Sequence, residues 1–180
     1  MFYTLPTALT VGGRSLIIDS DWRTALDCLE ALHDADLTDV DKAVVVLGLL
    51  YRDPVPAAAL EEALHQAMWF LSGGSERSGK PGPRLMDWEQ DFPFVVSAIN
   101  RVAGREIREL PTLHWWTFLG FYGEIGDSTF AQIVRIRQMK AKHKKLDKAD
   151  AQWYRENRDI VDLKVKYTDA EADLFKRLGV

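Results

Sequence analysis

Cysteine is almost missing from this chain: Cys28 stands alone among 180 residues. One thiol can form no internal disulfide and cannot by itself define a metal site, so a disulfide framework and a cysteine-bound metal are both excluded. A reducing compartment suits that composition. Long apolar runs are missing too, since no stretch approaches the ~20 residues of a membrane span. The N-terminal "MFYTLPTALTVGG" has neither the basic start nor the apolar centre of a signal peptide. The expectation is a soluble cytoplasmic protein with no membrane association. No internal repeat at a fixed period appears, which excludes a solenoid.

What is there is globular. The chain is 47% hydrophobic and 28% charged, and at this length it can bury roughly two-thirds of its unfolded surface. The net charge of −4 conceals an asymmetry. Residues 1–70 carry eleven acids against four Lys/Arg, whereas Arg135 to Lys148 holds seven basic residues and one acid, Asp147. Ends of such different sign either form solvated helix faces or serve different partners.

Periodicity predicts a mainly α protein of about six to eight helices with an N-terminal β-hairpin, a single domain over residues 1–180. "ALTVGGRSLIID" reads as two short strands joined by Gly12-Gly13, a dipeptide suited to the positive φ of a tight turn. Two strands alone are marginal, so the hairpin must lean on another element. From Asp21 the period becomes helical, with Trp22, Ala25, Leu26, Leu29 and Leu32 aligned. Thr38 or Asp39 can cap a second helix whose run Ala43 to Leu50 is apolar all round and therefore expected to be buried. Pro54 ends it. Pro56 opens a third helix, with Leu60, Ala63, Leu64, Ala67, Met68 and Leu71 on one face.

Residues 72–87, "SGGSERSGKPGPRLMD", predict a flexible loop. A helix capped by Asp91 and stopped by Gly104 follows. Pro111 and Thr112 are placed to open the next helix, and Gly126 to close it. Asp127 or Ser128 caps another, with Phe130, Ile133, Val134 and Met139 inward. Charged amphipathic helices over about 146–180, around Trp153, Tyr154 and Phe175, complete the chain.

Several chemistries fail on spacing. Gly74 to Pro81 approaches a phosphate-binding loop but puts Pro81 where a magnesium-ligating hydroxyl is needed. "DADLTDVD" begins like a calcium loop but supplies Asp39 and Val45 where glycine and a bidentate glutamate are required. The four histidines show no metal-binding pair. His114 has no nucleophile beside it and is expected to be structural, bonding a carbonyl or lying half-exposed. The chain is read as a non-enzyme without cofactor. No aromatics interleave the basic stretch, and the whole chain is acidic, so nucleic acid is disfavoured as a partner.

"LHWWTFLGFYGEI", residues 113–125, is the densest aromatic stretch. On a helix Trp115, Phe118, Leu119, Tyr122 and Ile125 share one face, while Trp116 falls on a flank. The first row suits a core. Trp116 is the residue better suited to recognition, because tryptophan is enriched among interface anchors.

Pro6, "TVGGRSLIIDSDWR", "AMWFLSGG", "DWEQDFPFVVSAI", "LHWWTF" and "RIRQMKAKHKK" occur in an order that resembles the tail assembly chaperones of long-tailed bacteriophages and prophages. These are small proteins usually encoded just before the tape-measure gene. The chain departs from the family pattern at Arg105-Glu106-Ile107, where Gly-Ile-Asp is common ahead of the His-Trp-Trp motif. The resemblance implies a non-catalytic assembly factor in the host bacterial cytoplasm. The partners it implies are the tape-measure protein and, as a further candidate, the tail-tube protein, with homo-oligomers also allowed. Micromolar affinity is expected of a factor that must also let go. Trp88, His114, Trp116, Arg135, Arg137 and Lys140 are the candidate contacts. A structural tail or neck component and a nucleic-acid-binding regulator acting through residues 135–148 are the alternatives.

Overall fold

The computed structural model describes residues 4–75 and 82–164. Among them are eight α-helices and one two-stranded antiparallel sheet, the mainly α architecture with an N-terminal hairpin. The centre of the expected loop, residues 76–81, and the expected helix around Phe175 lie outside the described residues. By their contacts the described residues divide into two compact units, one of residues 4–75 and 112–117, the other of 82–111 and 118–164.

In the first unit, β1 (Ala8–Val11) pairs with β2 (Arg14–Ile17) in the register Val11↔Arg14. Gly12 and Gly13 both take positive φ, 57° and 71°, as a two-residue primed turn requires. Leu9, Val11, Leu16 and Ile18 are buried and Ile17 is exposed. The hairpin does lean on its neighbours. Gly12 N–H donates to Glu62 (2.9 Å), Arg52 N–H to the Ile17 carbonyl (2.9 Å) and Asp19 N–H to that of Leu50 (2.7 Å).

Helix α1 (Trp22–His33) is capped by Asp21, whose carboxylate accepts from Arg23 N–H, and buries Trp22, Ala25, Leu26 and Cys28. Helix α2 (Asp39–Leu50) starts with a capping box of Thr38 and Asp41. The expected all-round burial of α2 is corrected here. Val46 and Leu50 are buried, but Val40 is 72% and Val44 64% exposed. A fully apolar helix needs neighbours on every side to be covered, and the sector carrying these valines is left open.

Helix α3 (Leu60–Leu71) follows a 3₁₀ turn at Ala57–Ala59. Its buried face is Ala63, Ala67, Phe70 and Leu71, while Leu60 and Met68 are exposed, which rotates the expected stripe. Tyr51 packs there, its hydroxyl donating to the Ala63 carbonyl at 2.9 Å.

In the second unit, α4 (Trp88–Ala103) is capped by Asp87, four residues earlier than expected. Asp87 accepts from Gln90 N–H at 2.8 Å, and Asp91 is drawn inward, accepting from Asp87 N–H at 2.9 Å. Gly104 closes the helix at φ 67°. Helix α5 (Trp115–Gly123) contributes its first three residues to the first unit and the rest to the second.

Helix α6 (Thr129–Ala141) is capped by Ser128 and buries Phe130, Ile133, Ile136 and Arg137, whereas Val134 and Met139 are only half-buried. It ends with His143 N–H on the Lys140 carbonyl and Lys144 N–H on that of Met139, a Schellman motif. His143, at φ 51°, stands where glycine is usual. Helices α7 (Lys148–Glu156) and α8 (Arg158–Val161) follow. Ile133, Ile136 and Val161 form a small core against Phe94, Trp153 and Ile160. Among the described residues no helix is long and apolar enough to cross a membrane.

Candidate partner-binding surface

The Leu-His-Trp-Trp stretch begins extended, not helical. Leu113 N–H donates to the Asp21 carboxylate (3.0 Å), Trp22 N–H to the Leu113 carbonyl (3.0 Å), and Trp115 N–H to that of Ser20 (2.7 Å). This short bridge holds 113–114 against 20–22, so α5 starts at Trp115 instead of Pro111 or Thr112.

His114 spends both ring nitrogens on backbone. Nε2 faces the Pro6 carbonyl at 2.9 Å, and Nδ1 accepts from Trp116 N–H at 3.0 Å. A carbonyl only accepts and an amide only donates, so the ring is the neutral tautomer protonated on Nε2. A histidine so committed has no nitrogen left for proton transfer. With Leu113 and Asp21 it also borders a cleft of about 540 Å³ whose lining includes exposed Leu5 and Ile17.

The two tryptophans do one job together. Trp115 Nε1–H donates to the Leu71 carbonyl (3.0 Å) and Trp116 Nε1–H to that of Phe70 (2.9 Å). Those are consecutive carbonyls of the last turn of α3, and the Phe70 carbonyl also accepts from Gly73 N–H at 3.1 Å. Trp116 packs edge-on to Trp69 with centroids 5.3 Å apart. Gly73 and Gly74 then turn the chain at φ 73° and 78°. A Cβ on Gly74 would sit 2.8 Å from Trp116 Cη2. The "SGG" and "HWW" segments are thus two halves of one cap, with Trp115 buried and Trp116 half-buried.

The remaining candidates lie in the second unit. Trp88 is half-buried against Phe118 and Tyr122, at centroid distances of 6.3 and 5.8 Å. Burial, then the Asp91 charge, pushes the Tyr122 hydroxyl pKa up. Arg135 is exposed but paired with Asp150, and Lys140 with Asp162 and the Tyr154 hydroxyl.

Arg137, expected as a partner contact, is instead an interior clamp. Its side chain is 5% exposed. It grips Asp91 at 2.5 and 2.9 Å, and it donates to the carbonyls of Leu85 (3.1 Å), Ile160 (3.0 Å) and Val161 (2.5 Å). An isolated guanidinium is too costly to bury, and a carboxylate plus three carbonyls satisfies it.

The exposed apolar surface lies elsewhere, on the first unit. Val40 and Val44 are one turn apart on α2. Ala43 beside them enters a cleft of about 230 Å³ whose wall includes Leu32, Leu64 and Met68, with Asp39 and Lys42. Sequence reasoning missed these residues, although the all-round apolar pattern of α2 was the available signal.

A family model described as bacteriophage Gp15 protein matches residues 2–163. No curated protein and no solved structure matches the chain. The match runs through every element described above, from the hairpin to α8, and the chain belongs to the bacteriophage Gp15 protein family.

Proposed function

We propose that this protein is a non-catalytic tail assembly chaperone. It binds the phage tape-measure protein in the host cytoplasm and holds it soluble while tail-tube subunits assemble around it. The supporting observation is the exposed aliphatic sector of α2 and α3, with Val40 at 72%, Val44 at 64% and Met68 at 42%. Val40 and Val44 lie one turn apart on α2, and exposed apolar surface of this kind suits coverage by another chain. Burying one fully exposed valine gains roughly 1.5–3 kcal/mol, and because association itself costs several kcal/mol, a few such side chains favour weak, reversible binding.

The test is co-expression with the adjacent tape-measure protein, followed by pull-down and size exclusion. A soluble complex that Val44→Asp weakens at least tenfold, with the helical circular dichroism unchanged, is the expected result. Trp116→Ala is the poorer probe, because its indole caps α3. Failure to form a complex, with this protein found by mass spectrometry in purified tails, would instead favour a structural tail component.

A further inference from the structure

We infer that the α2–α3 face takes one kind of ligand, an amphipathic helix with an aliphatic stripe and Lys/Arg along its borders. The inference rests on the reading of this face as a partner-binding surface and adds the chemistry of what fits it.

The geometry suits a helix. Val40 and Val44 form an aliphatic ridge one turn long, and Ala43 beside them opens into the cleft walled by Leu32, Leu64 and Met68. A small residue between larger ones admits a ridge of side chains from a crossing helix. Gly48, one turn beyond Val44, lengthens the track without obstruction, as a Cβ there would meet nothing within 4 Å.

Charge selects among helices. From Trp22 to Leu71 the chain carries nine acids against Arg23, Lys42 and Arg52. Arg23 pairs with Asp21 and Arg52 with Asp19. Asp34, Asp36, Asp39 and Asp41, at the start of α2 and just before it, are all exposed. A second copy offering the same face would bring acid against acid, which disfavours a symmetric dimer. Cationic borders on the incoming helix relieve that repulsion.

Two synthetic 18-residue helices of identical leucine spacing test this, one bordered by lysine and one by glutamate, alongside a lysine peptide of the same composition in scrambled order that has no leucine stripe. Each is titrated into the full chain with ¹⁵N–¹H spectra recorded. The lysine-bordered helix should bind at least tenfold more tightly than either control, shifting amides of residues 36–48 and 60–68. Val40→Ser with Val44→Ser should abolish that binding, and Asp36→Asn with Asp39→Asn should weaken it severalfold. Equal binding of the glutamate-bordered peptide, equal binding of the scrambled one, or shifts confined to other segments would overturn the inference. Concentration-dependent dimerisation that Val44→Ser abolishes would also overturn it, by assigning the face to a second copy. A tape-measure complex that forms while the lysine-bordered helix fails sinks only this inference. The reverse outcome sinks the tape-measure reading alone.

Discussion

Gly74→Ala isolates the contact between the second glycine after α3 and the Trp116 ring. Two costs are expected. The first is conformational: φ is +78°, and an L-residue in that region loses roughly 1–2 kcal/mol. The second is contact. The new Cβ would lie 2.8 Å from Cη2 and 3.0 Å from Cζ2 of Trp116, so the ring must retreat by several tenths of an ångström. It cannot do so freely, because Nε1 is tied to the Phe70 carbonyl at 2.9 Å and the ring packs on Trp69. Loosening a half-buried hydrogen bond adds about 1–3 kcal/mol.

Gly13→Ala supplies the comparison. Gly13 has φ +71°, yet nothing lies within 4 Å of its Cβ position, so it carries the first cost alone. Urea unfolding followed by circular dichroism should therefore place Gly74→Ala about 1–3 kcal/mol below Gly13→Ala. In a thermal scan that is about 2–4 °C in Tm per kcal/mol. In a Trp116→Leu background the excess should vanish, because the obstructing ring atoms are gone. Equal costs for the two glycines, or an excess that survives Trp116→Leu, would refute the reasoning.

Arg137→Met should destabilise the fold by about 3–5 kcal/mol, because it leaves Asp91 charged and buried. Adding Asp91→Leu should recover much of that loss in the same denaturation assay. Burial pushes the Cys28 thiol from 9.0 up to about 12, with the Asp27 and Asp19 charges adding to it. The Tyr51 hydroxyl is likewise pushed from 10.0 up to about 12 by burial and then by Glu62. Both groups are raised in the native state, so their contribution is complete below about pH 9 and declines as pH rises toward 12. Unfolding free energies between pH 8 and 11 should fall, less steeply in Cys28→Ala, and a thiol reagent at pH 8 should label Cys28 only on unfolding. Nitrogen spectra of His114 should show Nε2 protonated and Nδ1 bare, and a protonated Nδ1 would contradict the Trp116 N–H contact.

Much of the fold was legible because local signals agreed with what packing required. Gly12-Gly13 fixed the hairpin turn, the Asp19–Asp21 and Thr38-Asp39 segments marked helix starts, with Asp21 and Thr38 as the caps, and Gly104 marked an end, each through a bond made within a few residues. The errors came from partners distant in sequence. Asp91 looked like a cap but lies opposite Arg137, forty-six residues on. Pro111 looked like a helix start, but Ser20 and Asp21 hold residues 113–114 extended from ninety-two residues away.

The candidate site divides along the same line. Trp116 stood out because tryptophan is rare and often marks interfaces, but rarity does not tell an anchor for another chain from an anchor within this one. Its indole N–H, with that of Trp115, goes to carbonyls of the last turn of α3, beside the Gly73 and Gly74 N–H groups that bond Phe70 and Trp69 there, so the most recognisable motif reinforces the end of a helix. Valines are common, and Val40 and Val44 match no motif. Their exposure depends on which sectors of α2 its neighbours leave bare, and helical periodicity describes the arrangement of a helix without describing its neighbours. A substitution in the motif would therefore weaken the fold and, through it, every interaction. One at Val44, which supports no internal cap, can remove binding while leaving the fold intact.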